Sequence, residues 1–332
     1  MRRRSLLAAP LAAISAPLAA QERYPNRPIR LIIPVAVAGA TDIVGRIVAD
    51  AMAPLLGQPI VVENMDGAGS TVGAAAFQRL PTDGHALYIG TNNHALMNSM
   101  YPRFAHNAAD DFIPIALVSR QPFVLTINPA LPVQNVAEML DWLRARGDAA
   151  NFGATTPGAN NYMAGALLRQ LAGVQFTTVS YRSAPLSVQD VVAGRLDFTI
   201  DSPTMIAPLI REGRLRGLAV STAEPSALLP GIPSLNQAGV PGFDMAAWTI
   251  LFVRAGTPPA IVATLRETAA RALAAPVVRQ RLLAANFELW PDNTPEAATA
   301  LLRREIDRWA PIAAAAIRSR LFRQLLVIGM LT

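Results

Sequence analysis

Short apolar runs of strand length alternate along the chain with segments in which apolar residues recur at helical spacing. Residues 29–34 form the first such run, and apolar side chains then recur three or four positions apart from Ile43 to Leu55. Further strands are predicted at residues 60–64, 86–90, 151–155, 176–181, 196–201, 215–220 and 248–253. The alternation predicts an α/β fold.

The junction between the first strand and the first helix is built from small residues. Residues 36–40 carry little side chain, so a ligand could approach the backbone closely, and Thr41 and Asp42 favour a helix start. The first N–H groups of a helix have no partner within it and lie at the positive end of its dipole. The junction therefore indicates a site for an anion such as a carboxylate, although an ordinary turn between a strand and a helix has the same pattern.

The same order of strand, small polar loop and helix start recurs in the second half of the chain. The second loop contains Thr155, Thr156, Gly158, Asn160 and Asn161. Polar residues also follow other predicted strands, with Thr91 and Asn92 after one and Asp201 at the end of another. Open α/β sheets bind ligands at the carboxyl ends of their strands, although ordinary loops carry such residues too. Two lobes with facing loops predict a cleft that closes on a small acid.

The first twenty residues have the pattern of a signal peptide. Three arginines precede an apolar run from Leu6 to Leu18, and small residues follow before Gln21. The run is too short for a permanent membrane anchor. Arg3 and Arg4 also resemble a twin-arginine export signal. We therefore expect residues 1–20 to be removed on export to the periplasm.

Composition and charge argue against several classes of protein. The chain of 332 residues has a net charge of +6 and no lysine, so its 29 basic residues are all arginine. Six of them lie in the two terminal segments, and the remaining 23 are balanced by 23 acids, which removes the electrostatic support for nucleic-acid binding. Cysteine is absent, and the three histidines lack metal-site spacing. We expect no cofactor and no metal.

The glycine-rich segment at residues 67–73 follows the second predicted strand. Its spacing is one residue too long for a dinucleotide-binding loop, and it does not follow the first strand. We interpret these glycines as sites of close packing between a strand and a helix. Because the sequence also has no Gly-x-Ser-x-Gly motif, it offers little support for an enzyme.

The sequence as a whole resembles a known family, the TctC-like, Bug-type solute receptors of tripartite tricarboxylate transporters. The resemblance covers residues 22–317 and is carried by many ordered motifs. They include Tyr24-Pro25, Gly39-Ala40-Thr41-Asp42, Leu56-Gly57-Gln58-Pro59, Val61-Val62-Glu63-Asn64, Gly67-Ala68-Gly69, Ala193-Gly194-Arg195-Leu196-Asp197 and Gly256-Thr257-Pro258-Pro259.

The resemblance implies a two-domain receptor of the periplasmic-binding-protein (Venus flytrap) type. Each domain would be a mixed sheet flanked by helices, and crossing strands would join the two. Residues 21–123 and 249–317 would form the first domain and residues 124–248 the second, with a tail at 318–332. Such a receptor captures a small carboxylate and delivers it to membrane permease subunits. A monomer is expected, and a sensor or scavenger, or less readily a periplasmic enzyme, remains an alternative.

The resemblance also implies which residues bind the ligand. In the first domain these are Ala38, Gly39, Ala40, Thr41 and Asp42, together with Thr91 and Asn92. In the second domain they are Thr155, Thr156, Gly158, Asn160, Asn161 and Asp201. The chain departs from the family pattern where prolines and glycines usually follow Pro34, and where Asn160 and Asn161 replace Ser and Thr. Since amides both donate and accept hydrogen bonds, amide-bearing ligands join carboxylates as candidates.

Overall fold

A computed structural model describes residues 24–155 and 158–318 of the chain. The predicted signal peptide, Thr156 and nearly all of the predicted tail lie outside the described residues. The strands are β1 (Ile29–Ile33), β2 (Ile60–Asn64), β3 (Ala86–Gly90), β4 (Phe112–Pro122), β5 (Val124–Ile127), β6 (Asn151–Ala154), β7 (Thr177–Ser180), β8 (Phe198–Asp201), β9 (Arg216–Val220), β10 (Ala246–Arg254) and β11 (Glu288–Leu289).

Ten α-helices are found in the described part of the chain. They are α1 (Ala40–Leu56), α2 (Thr71–Phe77), α3 (Asn92–Met100), α4 (Val136–Arg146), α5 (Asn160–Ala172), α6 (Ala184–Val192), α7 (Pro203–Arg211), α8 (Pro259–Ala274), α9 (Pro276–Ala284) and α10 (Pro295–Arg318). None of the helices in residues 24–155 and 158–318 is both long enough and apolar enough to cross a bilayer.

The strands form two mixed sheets. The first has the order β11-β4-β10-β3-β1-β2, in which β1 runs parallel to β2 and β3 while β10 is antiparallel to β3 and β4. The second has the order β7-β6-β8-β5-β9, in which β6 is parallel to β7 and β8. The predicted α/β class, with two mixed sheets flanked by helices, is confirmed.

The chain passes between the sheets twice, and the two passages are hydrogen bonded to each other. The first passage is at Phe123, between β4 and β5, and the second lies between β9 and β10. The buried Ser221 hydroxyl accepts from the Phe123 N–H at 2.7 Å and donates to the Met245 carbonyl at 2.6 Å. This serine therefore ties both passages at one point. The predicted domain bounds at 123 and 249 stay a prediction.

Each sheet is covered on both faces by apolar clusters. Helices α1, α8 and α9 cover one face of the first sheet, and α2, α3 and α10 cover the other. Helices α4 and α5 cover one face of the second sheet, and α6 and α7 cover its opposite face. Helix α10 belongs to both halves, because Leu301 and Leu302 lie in the core beside the first sheet whereas Trp309 lies in the core beside the second.

The main difference from the sequence prediction is helix α3. The sequence indicates only polar residues after the third predicted strand, whereas in the structure a helix begins at Asn92. In contrast, the close packing predicted for the glycine-rich segment is confirmed at Gly73, where an added Cβ would lie 2.8 Å from both Pro34 Cβ and the Met65 carbonyl oxygen.

Candidate ligand-binding cleft

The predicted binding loops lie at the carboxyl edges of the two sheets. Because β1, β2 and β3 are parallel, the loops that follow Ile33, Asn64 and Gly90 leave the same edge of the first sheet. The strands β6, β7 and β8 are likewise parallel, so Ala154, Ser180 and Asp201 end at one edge of the second sheet. The two edges meet where Gly158 approaches Met100, since an added Cβ at Gly158 would lie 3.3 Å from the Met100 methyl carbon.

The first loop is held in place by the buried Asp42 carboxylate. It accepts hydrogen bonds from the Ala38 N–H at 2.9 Å, Asn64 Nδ2 at 3.0 Å and Arg46 Nε at 3.0 Å. Ala38 has a φ of 63°, a left-handed conformation that this bond helps to fix. Burial opposes ionisation of Asp42, but the bonds from Arg46, Asn64 and Ala38 outweigh burial and lower its pKa. Asp42 thus shapes the loop through a carboxylate that is already fully hydrogen bonded.

Helix α1 presents unpaired backbone donors at this loop. The Gly39 N–H is used by the Ala36 carbonyl, and the helical ladder begins with the Ile43 N–H bonded to the Gly39 carbonyl. Within the described residues, the N–H groups of Ala40, Thr41 and Asp42 have no acceptor. Three free N–H groups at the start of a helix of 17 residues can bind a carboxylate without a side-chain cation.

The second loop is organised by the buried amide of Asn161. Its Oδ1 accepts from the Thr155 N–H at 3.2 Å, the Thr155 hydroxyl at 2.7 Å and the Tyr162 N–H at 2.9 Å. Its Nδ2 donates to Asp201 Oδ2 at 3.0 Å, and the other Asp201 oxygen accepts from the Ser202 N–H at 2.7 Å. Asn161 and Asp201 therefore fix the loop between β6 and α5.

The Asp201 carboxyl is in an unfavourable place for a charge. Burial raises its pKa, although the bonds from Ser202 and Asn161 partly oppose that rise. Both of its oxygens accept hydrogen bonds, which is the pattern of a carboxylate.

By contrast, the side chain of Asn160 is half-buried and forms no hydrogen bond within the described residues.

A cavity of about 260 Å³ lies between the two halves. Helix α3 and the residue that follows it contribute four of the lining residues, and the rest come from the loops before α2 and α5. The lining residues are Gly69, Asn93, Leu96, Met100, Tyr101, Gly158 and Ala159. Of the predicted site residues, only Gly158 is in this set, so the free N–H groups of α1 lie at the same sheet edge but not in the lining itself.

The Tyr101 side chain depends on a strained loop before α2. Residues 67–70 all have positive φ, and Gly69 approaches so closely that an added Cβ would lie 2.6 Å from the Tyr101 hydroxyl oxygen. Neither that hydroxyl nor the Asn93 amide forms a hydrogen bond within the described residues. Both are therefore available to a ligand.

The predicted residues Thr91 and Asn92 have different surroundings. Thr91 is the residue before helix α3 and is half-buried. Asn92 is buried, and its amide bonds the Ala246 carbonyl at 3.0 Å and the Trp248 N–H at 3.1 Å. The amide thus links α3 to β10. Sequence reasoning did not select Asn93, Leu96, Met100 or Tyr101, because the polar and scattered apolar residues of α3 lack the clear apolar face that would have indicated a helix there.

No metal site is evident in the described ranges. Across residues 24–155 and 158–318, no group of three histidine, aspartate or glutamate side chains is placed to hold an ion. His94 is buried among aromatic rings, with Phe112 at 4.5 Å and Phe252 at 4.8 Å between ring centroids. Its role is in packing.

Comparison with known proteins gives consistent matches. The family model described as TctC, tripartite tricarboxylate transporter family receptor, matches residues 44–317. Protein BugT of Bordetella pertussis (strain Tohama I) is 28% identical over 303 residues, covering 91% of this chain and 92% of BugT.

Two solved structures from Rhodopseudomonas palustris are similar in sequence and fold. MatC with bound malate is 32% identical, with a TM-score of 0.70 over 87% of this chain and 100% of MatC. Rpa4515 with adipate is 29% identical, with a TM-score of 0.72 over 88% of this chain and 98% of Rpa4515. The prediction of binding without catalysis is confirmed, since the matched family is one of receptors. The chain belongs to the TctC family of tripartite tricarboxylate transporter receptors.

Proposed function

We propose that this protein is exported to the periplasm, captures a small carboxylate between its two halves and delivers it to membrane permease subunits. The observation that carries the proposal is the set of free N–H groups at Ala40, Thr41 and Asp42, which begin helix α1 at the sheet edge, directly after the exposed residues 36–38. Such groups bind an anion at the positive end of a helix dipole.

Two further observations support a carboxylate ligand. MatC and Rpa4515 carry malate and adipate in their structures, and both ligands are dicarboxylates. The cavity beside the loops has room for a molecule of that size, and it is lined by both polar and apolar groups. The ligand would dock on the first loop, and closure of the halves would bring Gly158, Asn160 and the second loop onto it.

The direct test removes one backbone donor from the first loop. Proline is tolerated at the first position of a helix, and Gly39 already has the extended conformation (φ −72°, ψ 164°) that a following proline requires. Ala40→Pro therefore deletes one free N–H without breaking α1. We expect at least a tenfold loss of affinity in calorimetric titrations with malate, adipate or related acids.

The matched control is Ala40→Ser, which retains the N–H and should bind as the native protein does. Equal affinity in the proline and serine variants would show that these N–H groups do not hold the ligand. If the native protein shows no binding heat and no rise in its unfolding temperature with any member of a wide panel of small acids, carboxylate capture is refuted.

Delivery to a permease is separated from sensing by a deletion strain. If the protein serves transport, loss of its gene abolishes uptake of the ligand identified by titration. If it serves a sensor, uptake persists and the transcriptional response to the ligand is lost.

A further inference from the structure

Each half of the cleft contains a buried carboxylate, but only one of the two carboxylates is paired with a cation. On the first side, Asp42 has a cation, because Arg46 Nε lies 3.0 Å from Asp42 Oδ2. On the second side, Asp201 is bonded only to the Asn161 amide and the Ser202 N–H, and it forms no ion pair with any arginine or histidine of the described residues. The chain has no lysine to supply another cation.

This difference gives the two loops different electrostatic character. The first loop combines a neutralised ion pair with the positive end of α1, so it attracts an anion. At the second loop, the carboxylate of Asp201 accepts a hydrogen bond from the side chain of Asn161, the second residue of α5. Its negative charge offsets the positive end of that helix dipole. A carboxylate near the second loop would be repelled by Asp201, whereas a hydrogen-bond donor would be favoured.

The cavity between the loops supplies no cation either. Its side chains are those of Asn93, Leu96, Met100 and Tyr101, together with backbone and methyl groups at Gly69, Gly158 and Ala159. Removing a charged carboxylate from water without a cation or several donors carries a large free-energy cost. Neutral polar groups can instead bond the free Asn93 amide and Tyr101 hydroxyl.

Two arginines that a second carboxylate could use lie in a groove outside the cavity. Arg79 and Arg103 line an adjoining groove with Val72, Ala75 and Phe104, and Tyr101 lies between that groove and the cavity. A diacid held at the first loop would have to extend past the Tyr101 ring to reach them.

We propose that the cleft selects acids with one carboxylate and, at the opposite end, a hydrogen-bond donor that is not anionic, such as a primary amide or an ammonium group. The inference rests on the proposed capture of a carboxylate at the first loop and names the class of ligand for that site. It distinguishes this chain from MatC and Rpa4515, whose bound malate and adipate carry two carboxylates.

The experiment compares each diacid with its monoamide of equal length. Calorimetric titrations at low salt and neutral pH use succinate with succinamate, glutarate with glutaramate, and adipate with adipamate. At the best-fitting length, we expect the monoamide to bind at least tenfold more tightly than the diacid. In Asp201→Asn the ratio should fall toward one, because the repelling charge is gone.

The matched control is Asp197→Asn. Asp197 immediately precedes β8, at the opposite end of the strand from Asp201, and its carboxylate accepts from the Asn151 N–H at 2.7 Å. This variant changes the protein's charge equally and should keep the native ratio. If Asp201→Asn fails to fold, Asn93→Asp gives a second test, since a charge added to the cavity wall should widen the ratio.

The outcomes separate the two proposals. A diacid that binds as tightly as its monoamide at every length would overturn the selectivity while leaving carboxylate capture intact. A preference for long diacids that is lost in Arg103→Gln would also overturn it, by placing the second carboxylate in the outer groove. Failure of every acid and amide to bind the folded protein would instead refute the proposed function.

Discussion

At the scale of single residues, the cleft depends on Gly69 being glycine. Its φ of 59° is unfavourable for other residues, and the Tyr101 ring occupies the space where a Cβ would lie. Tyr101 can therefore line the cavity only because this side chain is missing.

We expect Gly69→Ala to destabilise the protein by about 2–4 kcal/mol, which combines backbone strain with displacement of Tyr101. Gly57→Ala is the control, since Gly57 has a similar φ of 69° but nothing within 4 Å of the added Cβ. That variant should lose only about 1 kcal/mol. Urea denaturation measures both, and equal losses would show that the Tyr101 contact is unimportant for stability.

A second residue-scale feature is the buried His94. Burial lowers the pKa of His94 to about 4, against the opposing effect of its bond to the Ala108 carbonyl at 2.8 Å. The unfolded chain takes up this proton near pH 6.5, so between about pH 6.5 and pH 4 the unfolded state binds more protons. Stability contributed by the neutral imidazole is present above pH 6.5 and is lost as the pH falls.

We expect the free energy of unfolding to decrease by about 3 kcal/mol over that interval through His94 alone. His94→Phe should remove this part of the pH dependence. A profile in His94→Phe that is indistinguishable from the native one would contradict the assignment.

At the scale of elements, α10 connects the two halves. The core beside the first sheet contains Ala298, Leu301 and Leu302, and the core beside the second contains Trp309 and Ala313. Trp309 also donates through Nε1 to the buried Glu305 at 2.7 Å. The final turns of this helix are therefore structural parts of the second half.

We expect Trp309→Ala to cost about 3–5 kcal/mol, because a buried indole leaves a cavity that its surroundings cannot fill. The control is Trp142→Ala, since Trp142 is only partly buried at the margin of the same cluster. Its loss should be nearer 1 kcal/mol. Similar losses in the two variants, measured by denaturant unfolding, would place Trp309 outside the second core.

Much of this element order could be predicted from the sequence. The strand, small-residue loop and helix start at residues 29–56 follow from local pattern alone, as does the repeat at residues 151–172. Helix α3 could not be found in this way, because its sequence of Asn, His, Ser and scattered apolar residues lacks a clear apolar face.

The detail of the candidate site was less predictable because it depends on long-range pairing. Asn161 and Asp201 are 40 residues apart in sequence and yet share a hydrogen bond. Asn92 is linked in the same way to β10, more than 150 residues away. Residue type indicated that these side chains were polar groups near a strand end, but not that their hydrogen bonds would be made to the protein.

At the scale of the whole molecule, the two passages at Phe123 and Met245, together with helix α10, are the connections about which the proposed closure would turn. Since Ser221 bonds both passages, a closing motion can rotate the halves while this connection persists. We expect saturating ligand to reduce the radius of gyration in small-angle scattering. The Ala40→Pro variant, mixed with the same ligand concentration, should remain in the open form. An unchanged radius in the native protein at saturation would argue against closure.

Because helix α10 packs into both cores, the second half of the protein cannot be separated cleanly from the rest of the chain. Residues 124–248 form one contiguous stretch that contains every strand of the second sheet. Yet the cluster beside that sheet is completed by Leu96, Phe123, Trp309 and Ala313, which come from outside the stretch. A gene fragment that encodes only 124–248 would expose the apolar surface against which these four side chains pack, and a synthetic α10 peptide added in trans would cover the part that Trp309 and Ala313 occupy.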